Sequence, residues 1–287
     1  MSSETLKMHS ALLKARGAQL YYEVQGSGPV LLMIPGGPTD AGIFAPLAAL
    51  MSDRYTVVRY DPRGNSRSVL GGPPEDQRLD VHGDDAAQLL AVFGEEPAFV
   101  LGSSGGAQIG LNLAARHPQR VHALVAHEPP CMGLLPNAAD QRAFVDGVYE
   151  TYLKLGVGPA MQKFMVGAGL AGGQQAQSSA PPSPDVLESF ARATGNADYF
   201  LAHGFRPLSF YVPDVAALQA GPVKVVVGVG ETSAGSLPHR SALALAEQLG
   251  TAAVSFPGGH GGYNDNPAAF AAKLHQVLLG ARAATKP

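Results

Sequence analysis

The chain has 287 residues, 46% apolar and 15% charged, which is enough for one large buried core and too little charge for a disordered chain. A net charge of −3 with scattered Lys and Arg argues against a nucleic-acid or anionic-lipid partner. The single cysteine, Cys131, excludes an intrachain disulfide and a Cys-rich metal site. Residues Met1 to Lys14 carry no signal-peptide core, and no run reaches about 18 apolar residues, so a cytoplasmic protein without a membrane span is expected.

In chain order, Ala11–Ala15 and Gln19–Val24 flank Arg16-Gly17 and read as an antiparallel hairpin. A βα rhythm follows, the pattern of parallel strands joined by crossover helices. Val30–Ile34 ends in Pro35-Gly36-Gly37-Pro38 and leads to a helix over Ala41–Met51; Tyr55–Tyr60 ends in Asp61-Pro62-Arg63-Gly64. A helix over Leu79–Phe93 precedes the strand Ala98–Leu101, the turn Gly102–Gly106 and a helix through Arg116; Val121–Ala126 then runs into His127-Glu128-Pro129-Pro130. From Cys131 to about Ala220 the rhythm stops, far beyond the length of an ordinary connection. Helical stretches at Ala139–Leu155 and Pro184–Arg192 surround the polar tract Gly167–Pro184, and the region reads as a helical lid with a flexible segment. Strand Val223–Val229, helix Arg240–Leu249, strand Ala252–Phe256 and helix Pro267–Leu279 complete the pattern. The expected organisation is a core over residues 1–130 and 221–287 with a lid over 131–220.

Gly102-Ser103-Ser104-Gly105-Gly106 is a G-x-S-x-G between a strand and a helix, the setting in which a sharp turn lifts the central hydroxyl above a sheet. That frame selects Ser104 as nucleophile and rejects Ser103, which has Leu101 two positions before it. A serine hydroxyl needs a base within hydrogen-bond reach. Of nine histidines, His260 stands out, because it lies among glycines after the last strand and before the last helix. Backbone N–H groups should receive the oxyanion: Gly105 follows the nucleophile, and in the Pro35–Thr39 loop the prolines have no N–H, so Gly37 is chosen over Gly36 and Thr39. For the acid that orients His260, chain order admits both Glu128 and Glu231, each just after a strand. Glu128 is preferred, being stiffened between His127 and two prolines, with Glu231 the alternative.

Together with Asp61-Pro62-Arg63-Gly64-Asn65-Ser66, these motifs resemble the α/β-hydrolase superfamily over nearly the whole chain outside the lid. The resemblance implies an α/β-hydrolase fold with a mostly parallel sheet and a cap. Ser103-Ser104-Gly105, His117-Pro118-Gln119-Arg120 and His127-Glu128-Pro129 are further similar to zearalenone lactonases, whose acid is a glutamate after the sixth strand. That similarity implies Glu128 as acid, Gly37 and Gly105 as hole donors, and a loop-positioning part for Asp61. The lid departs from it: those lactonases place a tryptophan on the substrate, this chain has none, and Phe200 or Leu201 stands near the matching place.

The expected activity is cofactor-free hydrolysis of a small-molecule ester or lactone. A ligand-binding, receptor-like member of the fold or a cofactor-free lyase is the alternative, since fold does not name a reaction. Dehalogenases and epoxide hydrolases of the superfamily carry Asp at the elbow, where this chain has Ser104.

Overall fold

The computed structural model describes residues 8–171 and 182–283. Among these residues nine strands form one sheet: β1 (His9–Ala15), β2 (Ala18–Gln25), β3 (Val30–Ile34), β4 (Thr56–Tyr60), β5 (Val69–Leu70), β6 (Ala98–Ser103), β7 (Val121–His127), β8 (Lys224–Gly230) and β9 (Val254–Phe256). Their order is β1-β2-β4-β3-β6-β7-β8-β9, with β5 paired to β2. β1, β2 and β5 pair antiparallel, and β1–β2 is the expected hairpin; from β4 to β9 the ladder is parallel.

Helices α1 (Ala45–Met51), α2 (Leu79–Ala91) and α3 (Gly105–Arg116) connect the first strands. The insertion after β7 carries α4 (Ala138–Leu155), α5 (Val157–Gly167), α6 (Pro184–Tyr199), a π-turn over Phe200–Gly204, α7 (Phe205–Ser209) and α8 (Val215–Ala220). The chain closes with α9 (Leu237–Gln248), α10 (Gly262–Asp265) and α11 (Pro267–Ala283). Most of the polar tract read as flexible, residues 172–181, lies outside the described residues.

Both faces of the central strands are covered, which is why they read as continuous apolar runs. Along β3 the side chains alternate: Leu32 and Ile34 join the cluster that includes residues of α2, α3 and α9, whereas Leu31 and Met33 join the one that includes residues of α1 and α11. Leu218 of α8 also belongs to the first cluster, although α8 follows the lid helices. A third cluster, with Val145, Val148, Ala160 and Phe205, lies within the helical insertion and includes Leu237 of α9.

The order of connection reverses at β3, which lies between β4 and β6. Open parallel sheets bind ligands in the crevice at the carboxyl ends of such strands. Here the loop carrying Gly37 follows β3 and Ser104 follows β6, its parallel neighbour.

Candidate active site

Ser104 directly follows β6 and precedes α3 with φ 55° and ψ −125°, a conformation a non-glycine residue adopts only under constraint. The constraint is visible in the packing. A Cβ on Gly106 would sit 2.0 Å from the Ile34 carbonyl oxygen, so only glycine lets the start of α3 press against the end of β3. The Ser104 N–H donates to the His127 carbonyl at 2.9 Å, which ties the turn to β7.

The loop after β3 leans on the same turn. Gly37 has φ 58°, and its nitrogen lies 3.3 Å from where a Cβ of Gly105 would be. Neither the Gly37 nor the Gly105 N–H donates a hydrogen bond among the described residues. The two amides therefore stand side by side at the edge of a cavity of about 520 Å³ that Ser104 and His260 also line.

Glu128, directly after β7, is fully buried and has φ 49°. Its N–H continues the ladder by donating to the Gly228 carbonyl at 3.0 Å. One carboxylate oxygen, Oε1, accepts from the Gly230 N–H at 2.9 Å and from the Ser233 hydroxyl; the other, Oε2, lies 2.6 Å from His260 Nδ1. Burial acts to raise this carboxyl, but the hydrogen bond and charge of His260, with help from His127 and Ser233, hold it near a pKa of about 2. An ionised carboxylate only accepts, so Nδ1 of His260 donates to Oε2.

Glu231, the alternative acid, directly follows β8, is exposed and is not among the residues that line the cavity. Asp61 is also fully buried and accepts from Arg67 and from the Ala41 N–H, so it braces the loops around β3 and β4. His127, beside Glu128, is fully buried among Phe256, Phe270 and Tyr263, and neither ring nitrogen has a partner among the described residues. Burial drives its pKa down to about 4, against the opposing pull of Glu128, so it is neutral near pH 7.

Several contributors escaped sequence reasoning. Ser233 stands where an acid after β8 would be looked for and instead supplies a hydroxyl to Glu128. His82, on α2, is buried against the cavity with Nε2 3.0 Å from the Gln77 side-chain oxygen. Among the described residues, three of the four non-glycine residues with positive φ, namely Ser66, Ser104 and Glu128, belong to this site or the loops beside it. Phe200 lines the cavity, while Leu201 is buried in the lid cluster. Among the described residues no group of His, Cys, Asp and Glu is arranged to hold a metal ion, and no helix is long and apolar enough to cross a membrane.

Comparisons with known proteins bear on the fold and the family. An uncharacterized hydrolase of Bacillus subtilis (strain 168), YraK, is 37% identical over 279 residues, covering 95% of this chain and 97% of its own. Zearalenone hydrolase of Cladophialophora bantiana is 35% identical over 129 residues, only 43% of this chain and 48% of its own. The structure of a thermophilic esterase from Thermogutta terrifontis superposes with a TM-score of 0.72, covering 96% of this chain and 99% of the other at 17% identity, a likeness of fold. The family described as alpha/beta hydrolase fold matches residues 29–192, and with a relative similar over nearly its whole length and the reversal of strand order at β3, the chain belongs to the α/β-hydrolase family.

Proposed function

We propose that the protein is a serine hydrolase acting on an uncharged, largely apolar carboxylic ester or lactone. The observation that carries the reading is the buried Glu128 carboxylate 2.6 Å from His260 Nδ1, at a cavity that also holds the constrained Ser104. In this reading His260 Nε2 takes the Ser104 proton as Oγ bonds to the substrate carbonyl carbon. The oxyanion that forms is received by the Gly37 and Gly105 N–H groups. The carbonyl re-forms as the C–O bond to the alcohol breaks, and His260 returns the proton to the departing oxygen. Water, deprotonated by the same imidazole, then attacks the acyl-serine and releases the acid. A lactone follows the same steps with its alcohol still tethered to the acyl group.

The wall favours apolar substrates. Lid residues Met161, Phe164, Met165, Phe200 and Phe205 face the cavity, and no Lys or Arg lines it among the described residues. An anionic substrate would find no cation there, and Asp265 would repel it. The partial likeness to zearalenone hydrolase supports including lactones.

The test is turnover of p-nitrophenyl acetate, with Ser104→Ala as control. Turnover that disappears in Ser104→Ala supports the reading. Absence of turnover in the parent would fit a binding protein, and turnover surviving in Ser104→Ala would mean that His260 acts as a base without Ser104 as nucleophile.

A further inference from the structure

Resting on the reading above, we infer that lid helix α6 is part of the oxyanion-hole machinery, with Asn196 a positioning residue for the Gly37 N–H. A hole donor is only as good as its aim, because it must meet an oxygen at about 3 Å that exists for the duration of the transition state. In a planar trans peptide the N–H points opposite the preceding C=O, so whatever holds the Gly36 carbonyl aims the Gly37 N–H.

Four consecutive carbonyls of this loop are held by side-chain donors. The Gly36 oxygen accepts from the Thr39 hydroxyl at 2.6 Å and from the Thr39 N–H at 3.3 Å. The Gly37 and Thr39 oxygens accept from the Asn65 amide at 3.2 and 3.0 Å. The remaining one, Pro38, accepts from the amide of Asn196, in α6, at 2.8 Å. By the same planarity Asn196 sets the Pro38–Thr39 peptide, whose N–H is the one that reaches the Gly36 oxygen. The lid thus acts on the hole through two linked peptide planes.

Asn196 is itself held. Its oxygen accepts from the Ser66 N–H at 2.7 Å, and its amide also donates to the Ser66 hydroxyl at 2.8 Å. That hydroxyl donates to Asp40 at 2.7 Å, and Asp40, fully buried, is paired with Arg192 of α6 at 2.5 Å. Both asparagines are buried, so their bonds are not in competition with bulk water. Phe190, also of α6, lines the cavity, so the helix that holds the hole loop is a helix a substrate would touch.

The test is Asn196→Ala, assayed for kcat and KM on a p-nitrophenyl ester and for the affinity of a trifluoromethyl ketone that forms a tetrahedral adduct on the nucleophile. Loss of a whole hole donor costs about 10²–10³ in kcat, so a donor left merely unaimed should cost about tenfold. We expect kcat and ketone affinity to fall together by that factor while KM stays within about twofold. Should the alanine variant fold poorly, Asn196→Asp keeps the acceptor for Ser66, removes the donor to Pro38, and is expected to give the same split. Unchanged kcat and ketone affinity per folded molecule, or a change in KM alone, would overturn the inference. Ser104→Ala separates the two failures: if it retains activity the underlying reading is wrong, whereas an inactive Ser104→Ala beside a kinetically silent Asn196 variant refutes only the role of α6.

Discussion

The two halves of the lid are attached to the core by different physics. α4 and α5 pack on each other through Val145, Val148 and Ala160, and reach the core at Leu237, whose N–H donates to the Ala168 carbonyl at 2.9 Å. α6 is fixed by the partly exposed Arg192 paired with the buried Asp40 carboxylate and by hydrogen bonds of the Asn196 amide to the loops after β3 and β4. Apolar contact is non-directional and tolerates sliding and repacking, whereas amide bonds fix position and orientation. On the proposed reading, one insertion supplies both a wall of the substrate cavity and a brace for the loop that carries Gly37.

If that division holds, changes in the chemical centre should remove activity, changes in the wall should retune it, and the two should not be confused. The largest effect is expected from Ser104→Ala or His260→Ala, each lowering kcat by about 10⁴ or more at full occupancy of substrate. Next comes Glu128→Gln: Gly230 and Ser233 donate to Oε1 and keep the amide oxygen there, so the NH2 faces His260 Nδ1 and holds the wrong tautomer, which should cost about 10²–10⁴ in kcat, while Glu231→Gln stays within about twofold. The reverse ranking of these two variants would move the acid to β8. In the wall, Phe164→Ala or Met161→Ala should raise KM for a bulky apolar ester several-fold while leaving kcat for the acetate nearly unchanged, since lost burial weakens ground state and transition state alike.

A smaller effect concerns stability, through His127. Its folded pKa of about 4 is depressed from 6.5, so the unfolded chain binds the extra proton first. Stability from this residue is complete above pH 6.5 and is lost as pH falls through about 4. Chemical denaturation at intervals between pH 7 and 4 should show that decline, and His127→Leu should flatten part of it. His82, buried with a pKa lowered to about 3, contributes a decline of the same sign that remains in the variant.

The core was legible because its signals are local. Each central strand is a short apolar run, and glycines mark the turns that carry Ser104 and His260. β5 was not legible, since two residues, Val69–Leu70, leave no pattern to read. α9 begins at Leu237, earlier than Arg240, because Ser236 accepts from the His239 N–H and Pro238 fits a first turn, a capping signal that is local to the sequence. α5 was missed because Gly158 and Pro159 look like breakers, although Pro belongs in a first turn. The brace was beyond reach for a different reason: Asn196 and Ser66 are 130 positions apart, and a buried amide's partners are set by tertiary packing alone.

The most direct test of the central claim is reaction of the native protein with a fluorophosphonate, followed by peptide mass analysis. Stoichiometric phosphonylation confined to the peptide containing Ser104, and lost in His260→Ala, is the result predicted. A protein that remains unlabelled, or is labelled equally well without His260, would contradict the assignment of Ser104 as a hydroxyl activated by imidazole.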